Sequence, residues 1–319
     1  MKFLDNILPI DKNRRKWTVI AITVAIAGLL TVWGIHGYHE YGIALFILTP
    51  LFTGFTPVAL YGHKFEIAKR QSWQLGFLAL GIYTLGLLVF AIEGLICIAM
   101  AAPLGIFLTW VGSLFGFSIV NKSAKNASMT MLVLIGLFPL FSFWDTKAVP
   151  TISAVTTSIE INSDKQTVWQ NVIAFPKLNE PTEFLFKAGI AYPTDATIEG
   201  RGVGAIRHCN FTTGSFVEPI TVWDEPKLLK FSVKEQPAPM KELGFWDIDA
   251  PHLHDYFVSK EGQFKLRTLP NGHTMLEGTT WYYHHIRPEF YWRIWSNQII
   301  HKIHERVLKH IKTTVETKR

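Results

Sequence analysis

Histidine side chains are concentrated in the second half of this sequence, which holds nine of its twelve histidines. Six of the nine form three close pairs, at spacings that let two imidazole rings approach one metal ion or one polar ligand. The pairs are His252 with His254, His284 with His285, and His301 with His304. No further ligands complete a zinc motif around them, so we predict polar lining of a binding site and neither a metal nor another cofactor.

The predicted strand before the final helix has alternating side chains that would form one wall of such a site. One face combines a carboxylate, a hydroxyl, two aromatic rings and an imidazole, and we predict that this face lines the site. It comprises Glu277, Thr279, Trp281, Tyr283 and His285. The opposite face comprises Leu276, Gly278, Thr280, Tyr282 and His284. The predicted ligand-binding set is the first face together with His252, His254, Trp295, His301 and His304.

Aromatic residues are dense in the same region, with seven between positions 281 and 295. One interpretation is an ordinary helix core together with an aromatic belt at the level of lipid headgroups. The other is the wall of a cavity for a flat or long apolar molecule, which a few polar groups would orient.

The sequence offers little support for nucleophilic or nucleotide chemistry. It has no Gly-x-Ser-x-Gly motif, and Cys209 directly follows His208, so the two side chains would point to opposite faces of a strand. The glycine-rich residues 200 to 204 precede a predicted strand and not a helix, which excludes a dinucleotide site. The enzymatic alternative is general acid and base chemistry by Glu277 with nearby histidines, metal-assisted or not. Those histidines are His252, His254 and His285.

A second candidate site lies in the apolar first half. Glu93, Cys97 and Met100 follow an i, i+4, i+7 pattern and would share one face of a helix. A carboxylate with two sulfur ligands suits a soft ion such as copper. The alternative, which we favour, is a polar turn at the outer headgroup level between the third and fourth apolar segments.

Five apolar segments of roughly the length needed to cross a bilayer fill the first half. They are Trp17–Ile35, Tyr41–Tyr61, Trp73–Ile92, Leu95–Val120 and Ser128–Trp144. They show almost none of the regular polar positions of soluble amphipathic helices, so we predict five membrane spans. Gly112 and Gly116 form a small-xxx-small pattern where another helix can approach closely.

Charge is distributed unevenly between the loops that join these segments. The basic residues before the first span and after the second and fourth are Lys2, Lys12, Arg14, Arg15, Lys16, Lys64, Lys69, Arg70, Lys122 and Lys125. The intervening loops at residues 36 to 40 and 93 to 94 contain neither lysine nor arginine, which predicts a cytoplasmic N-terminus and an extracytoplasmic second half in a cell (inner) membrane. Because most of the +6 charge belongs to the membrane half, we predict no nucleic-acid partner.

The second half alternates between strand patterns and turn signals. The predicted strands are Ala154–Ile161, Val203–Phe211, Ser215–Trp223, Leu228–Lys234, Tyr256–Ser259, Gln263–Leu269 and Thr274–Ile286. Connections this short predict an antiparallel sheet. A one-sided helix from about Pro288 to Val315 would cover it, with Ile303 on its buried face and Lys302 opposite.

This order resembles the START-like superfamily with the helix-grip fold, to which polyketide cyclases and lipid-transfer domains belong. The matching stretches are Ile159–Trp169, Ile220–Phe231 and the closing helix, within roughly residues 152 to 316. The resemblance implies an α+β domain with a cavity between a curved antiparallel sheet and its long helix, and no common catalytic set.

Together these patterns predict a five-span membrane α-helical bundle fused to a helix-grip domain. The predicted divisions are a basic cytoplasmic N-terminus at 1–16, spans within 17–144, a linker at 145–153 and the grip domain at 154–319. The expected partners are the lipid bilayer and a hydrophobic small molecule, lipid-like, quinone-like or polyketide-like, which the domain binds or transfers. Acid and base catalysis on such a ligand remains the alternative.

Overall fold

The computed structural model describes residues 8 to 317, apart from the side chains of residues 124 and 125. Residues 1 to 7, which include Lys2 of the predicted basic N-terminus, lie outside the described residues. The chain divides into two compact units. Within the described residues, the helical unit comprises residues 8–149, 242–251 and 285–288, and the sheet unit comprises residues 150–241, 252–284 and 289–317.

As predicted, the helical unit has five helices that are long and apolar enough to cross a membrane. They are α1 (Lys12–Gly37), a π-helical segment (Ala44–Leu48) continued by α2 (Thr49–Gly62), α3 (Lys69–Val89), α4 (Leu95–Val120) and α5 (Ala124–Asp145). The first begins five residues earlier than predicted, because the Asp11 side chain caps it by accepting from the Arg14 backbone N–H.

The second span changes from π-helix to α-helix just before Pro50. Proline has no backbone N–H to donate within a helix, and a wider turn relieves the crowding that its ring causes. The Thr49 hydroxyl donates to the Ala44 carbonyl oxygen at 3.1 Å across this turn. A local distortion is thereby absorbed inside a largely buried span.

Helices α2 and α4 approach each other closely at glycines. A Cβ on Gly112 would lie 2.3 Å from the Leu51 carbonyl oxygen, and one on Gly54 would lie 2.1 Å from the Thr109 carbonyl oxygen. A Cβ on Gly116 would meet the Phe55 carbonyl oxygen at 3.0 Å. The predicted small-residue patch on α4 is therefore a helix-packing surface.

The sheet unit contains a seven-stranded antiparallel sheet and a long C-terminal helix, and the predicted helix-grip fold is confirmed. The strands are β1 (Ser153–Ile161), β2 (Pro193–Glu199), β3 (Ile206–Phe211), β4 (Gly214–Asp224), β5 (Leu228–Ser232), β6 (Phe257–Thr268) and β7 (Thr274–His284), in the order β1-β7-β6-β5-β4-β3-β2. The helices are α6 (Lys165–Ile173), the short α7 (Phe184–Lys187) and α8 (Glu289–Thr317).

Two strands differ from the sequence prediction. The predicted strands Tyr256–Ser259 and Gln263–Leu269 are one continuous strand, β6, and Gly262 between them is not a turn residue. A Cβ there would lie 2.5 Å from the Phe231 ring, so glycine is needed for close packing. Strand β2 was not predicted, because it opens with Pro193 and lacks regular alternation.

The core of the sheet unit lies between the sheet and helices α6 and α8. Trp169 of α6 is fully buried, as are Leu276 of β7 and Ile311 of α8. The buried positions along α8 are Trp292, Ile300, Val307, Leu308, Ile311 and Val315. Ile303, which we predicted on the buried face of this helix, is only half-buried. The buried face is therefore rotated by about one residue from the predicted one.

Candidate functional site

The face of β7 that meets helix α8 is the one opposite to our prediction. The Thr280 hydroxyl lies 2.8 Å from Nε2 of His304, and the Tyr282 hydroxyl donates to Oδ1 of Asn297 at 2.6 Å. A Cβ on Gly278 would meet the Leu308 side chain at 3.8 Å. The set that includes Leu276, Gly278, Thr280 and Tyr282 therefore lines the interior of the grip.

The set that we predicted to line the site faces away from α8. Glu277 forms an ion pair with Arg267 at 2.8 Å. The Thr279 hydroxyl bonds that of Thr156 at 2.9 Å, and Nζ of Lys230 lies over the Trp281 ring. Tyr283 likewise lies beneath Nζ of Lys260, at 6.0 Å. The predicted face is thus corrected: both faces of β7 mix polar and aromatic groups, so polarity alone does not indicate the inner one.

His301 and His304 are the predicted pair that the structure brings onto a shared partner. The Thr157 hydroxyl lies 2.8 Å from Nδ1 of His301 and 3.1 Å from Nδ1 of His304. With Thr280 on its other nitrogen, His304 joins β1 and β7 to α8. Burial, and to a lesser extent the neighbouring His301, lower the pKa of His304 to about 4, so its ring is neutral at pH 7.

The remaining predicted histidines are dispersed. His252 is buried in a single 3-10 turn at Pro251–Leu253, whereas His254 is exposed, so the expected extended segment with both rings on one side is absent there. His285 is exposed and belongs to the helical unit, while its neighbour His284 is buried at the end of β7. Trp295 is half-buried on α8.

The interior of the grip contains a buried ion pair that the sequence analysis missed. Arg207 of β3 donates through Nη1 to Glu218 of β4, its direct cross-strand neighbour, and through Nε to the Ile173 carbonyl oxygen at 3.1 Å. The Arg207 and Glu218 side chains are only 2% and 7% exposed. Burial raises the pKa of Glu218 although the guanidinium opposes that rise.

Aromatic rings surround the guanidinium of this pair. It lies 5.6 Å from the Phe175 ring centroid, 5.5 Å from that of Phe231 and 5.6 Å from that of Phe264. The neighbouring Cys209 is also buried, and burial raises the pKa of its thiol to about 12. A thiol held protonated in this way is a poor nucleophile, in agreement with the sequence analysis.

Two further polar atoms lie in the same core without a hydrogen-bond partner among the described residues. They are Nε1 of Trp169 and Nε2 of His310. The Trp169 ring stands edge-on to Trp223 at 5.7 Å, and the His310 ring lies 6.0 Å from Phe175. An unpartnered buried donor costs free energy, which a ligand oxygen would recover.

A signal for the ion pair was present in the sequence. The turn at Thr213-Gly214 joins two predicted strands, and pairing Phe211 with Gly214 places Arg207 directly opposite Glu218. Opposite charges at paired positions of a hairpin indicate a cross-strand interaction. The pair is missed when each predicted strand is considered by itself, without the register that the turn imposes on its neighbour.

The membrane candidate residues lie where α4 begins. Glu93 is buried in the turn before this helix, one of its carboxylate oxygens lies within 4.8 Å of the Cys97 sulfur, and Met100 is half-buried one turn later. This position between α3 and α4 is the turn that we favoured. A second carboxylate, that of Glu242, accepts hydrogen bonds from the backbone N–H groups of Ile96 and Cys97.

The comparisons with known proteins found similar solved structures, which cover about half of this chain. No protein-family model matches the sequence, and no curated protein sequence matches it. A solved structure from Nitrosospira multiformis is 16% identical, with 52% of this chain and 100% of that chain covered, at a TM-score of 0.35. Norcoclaurine synthase from Thalictrum flavum, solved with dopamine and hydroxybenzaldehyde, is 14% identical over 53% of this chain and 90% of that chain, at 0.34.

Ara h 8.0201 is similar to the same extent, with 14% identity over 52% of this chain and 99% of that chain and a TM-score of 0.30. Each of these three likenesses covers about half of this chain. The helix-grip fold of the C-terminal half is shown by its own strand order and its long closing helix.

Proposed function

We propose that this protein is a membrane-anchored binding module, which holds a hydrophobic small molecule inside the grip between its sheet and α8. The observation that carries the proposal is the Arg207–Glu218 ion pair among three phenylalanine rings. A buried ion pair contributes little to stability compared with apolar residues of similar size, so a role in recognition explains its presence better.

The chemistry of the interior indicates the class of ligand. The ion pair is neutral as a whole, so an apolar molecule with an uncharged carbonyl or hydroxyl oxygen fits it better than an anion does. Such an oxygen could accept a hydrogen bond from Nε1 of Trp169, which has no partner among the described residues. Lipid-like, quinone-like and polyketide-like molecules all meet this description, and transfer between the bilayer and the interior is the activity we propose.

The enzymatic alternative loses its proposed residues. Glu277 pairs with Arg267 on the face of the sheet away from α8, and His254 and His285 are exposed. His252, the fourth residue of that set, is buried in the turn Pro251–Leu253. The position of Glu277 on the outer face is what favours the binding proposal over the enzymatic alternative.

A pair of double variants tests the binding proposal. In Arg207→Met/Glu218→Met the interior becomes apolar without leaving an unpaired charge, so we expect the fold to be retained and the ligand to be lost. The matched control, Arg267→Met/Glu277→Met, removes an ion pair of the same type from the opposite face. Native mass spectrometry of the full chain in detergent would measure the copurifying apolar molecule.

Binding of a neutral naphthalene ketone dye provides a second measurement on the same variants. We expect the dissociation constant for the dye to be at least tenfold higher in Arg207→Met/Glu218→Met than in the wild type. In the control Arg267→Met/Glu277→Met it should be unchanged. Equal retention of ligand and dye by both folded variants would refute the proposal. Single substitution of Arg207→Met should instead destabilise the sheet unit, by about 3 to 5 kcal/mol, because Glu218 loses its partner.

A further inference from the structure

The segment Glu242–Pro251 lies in the chain between β5 and β6, yet it belongs to the helical unit. The Glu242 carboxylate accepts hydrogen bonds from the Ile96 N–H at 3.1 Å and the Cys97 N–H at 3.2 Å. The Leu243 carbonyl oxygen accepts a third, from the Leu95 N–H at 2.8 Å. These N–H groups are among those that a helix cannot satisfy internally, so the segment caps the start of α4.

A second anchor joins the same segment to the end of α3. Nε1 of Trp246 donates to the Val89 carbonyl oxygen at 3.0 Å, and Val89 is the last residue of that helix. The segment is thus fixed by side-chain and backbone hydrogen bonds to the neighbouring ends of two spans. Its position along the spans is defined by α3 and α4 themselves.

Three apolar side chains of this segment face outward, those of Leu243, Phe245 and Trp246. Phe245 is 73% exposed and Trp246 is 62% exposed, and around them Phe90 is 77% exposed and Leu95 48% exposed. An aromatic cluster of this kind is costly in water. At the end of a membrane span it matches the aromatic belt, in which tryptophan places its ring among acyl chains and its N–H near polar groups.

We propose that Leu243, Phe245 and Trp246 form a membrane-inserted loop that lies in the headgroup region of the lipid bilayer, beside the ends of α3 and α4. The exposed carboxylates of Asp247 and Asp249 follow directly and limit the insertion to the headgroup region. The proposal rests on the five helices crossing a bilayer. The loop extends the proposed function, because a segment between two strands of the sheet unit would then contact lipid outside the spans.

Spin-label accessibility in the full chain measures this depth directly. Cys97 and Cys209 are replaced by alanine, and single labels are introduced by Phe245→Cys, Leu132→Cys or Val203→Cys in phosphatidylcholine and phosphatidylglycerol nanodiscs. Leu132, 62% exposed near the middle of α5, is the bilayer control, and Val203, 69% exposed in the sheet unit, is the aqueous control. Accessibility to oxygen and to a water-soluble nickel chelate is compared.

We expect the Phe245 label to be intermediate, with a ratio of oxygen accessibility to nickel accessibility that is lower than at Leu132 and several-fold higher than at Val203. A Phe245 label as accessible to nickel as the Val203 label, with Leu132 inside the bilayer, would overturn the loop proposal alone. A nickel-accessible Leu132 label would overturn the span assignment and the proposed function with it. Dipolar broadening between Phe245 labels would identify a second copy as the occupant and would also overturn the proposal.

Discussion

At the scale of single residues, His304 shows how a polar group is used inside the grip. Its two ring nitrogens lie near the hydroxyls of Thr157 and Thr280, on two neighbouring strands. A neutral imidazole can accept from one hydroxyl and donate to the other, whereas a protonated ring has no acceptor left. The histidine therefore acts as a neutral connector between sheet and helix.

This arrangement predicts a loss of stability in acid. The pKa of His304 lies at about 4 in the folded protein, against an ordinary value of 6.5, so the unfolded chain binds the proton more readily. Stability is complete above about pH 6.5 and falls between pH 6.5 and 4, by at most about 3 kcal/mol. Thermal unfolding in detergent, followed by near-UV circular dichroism across this range, would measure the loss.

The matched variants for this prediction are His304→Gln and His301→Gln. Glutamine retains hydrogen bonding without titrating, so the first variant should lose much of the difference in melting temperature between pH 6.5 and 4. The second should keep most of the wild-type pH dependence, since burial is the larger cause of the lowered His304 pKa and His301 is the smaller one. A pH dependence unchanged in His304→Gln would assign the acid sensitivity to other groups.

At the scale of elements, glycine determines how closely α2 and α4 pack. Gly112→Ala would place a methyl group 2.3 Å from the Leu51 carbonyl oxygen, a backbone atom that moves only with its helix. Gly105→Ala in the same helix meets nothing within 4 Å and is the matched control. Alanine should stabilise an unobstructed helix position slightly, by up to about 1 kcal/mol.

We therefore expect Gly112→Ala to lower the melting temperature by several degrees and Gly105→Ala to leave it unchanged or raise it. Differential scanning fluorimetry of the full chain in detergent would compare them. A wild-type melting temperature for Gly112→Ala would show that α2 and α4 can accommodate the methyl group, and it would contradict the close approach at Gly112.

The elements themselves were largely predictable from sequence, because apolar length and alternation are local properties. The spans are continuous apolar stretches, and the strand-to-helix order of the sheet unit carries its own turn signals. The face of β7 was not predictable in this way, since Glu277 and Thr280 are polar residues on opposite faces. The inner face of β7 can be identified only from the position of α8, which is set by tertiary packing.

The interior ion pair marks a different limit. The pairing of Arg207 with Glu218 could be predicted from the register of their hairpin. The three phenylalanine rings around the guanidinium could not, because they come from distant parts of the chain. The segment Glu242–Pro251 is a stronger case, because no local pattern indicates that a connection between two strands belongs with membrane helices. Its hydrogen bonds to α3 and α4 join residues about 150 positions apart.

At the scale of the whole molecule, the decisive property is the side of the membrane that each connection faces. The α2–α3 connection carries Lys64 and leads into Lys69 and Arg70, whereas the α3–α4 connection has no basic residue. Basic loops are retained in the cytoplasm, so we predict that residues 64 to 70 are cytoplasmic. Five spans then place the chain beyond Asp145 on the other side.

Single-cysteine variants labelled with a membrane-impermeant maleimide test this orientation in bacterial spheroplasts. With Cys97 and Cys209 replaced by alanine, Val203→Cys should react in intact spheroplasts, because Val203 is exposed in the sheet unit. Glu66→Cys, in the exposed α2–α3 connection, should react only after permeabilisation. Reaction of both from one side would require an even number of crossings between residues 66 and 203, whereas reversed labelling would show that the basic loops lie outside. Reversed labelling, or reaction of both variants only after permeabilisation, would exclude a binding module that receives its ligand on the extracytoplasmic side.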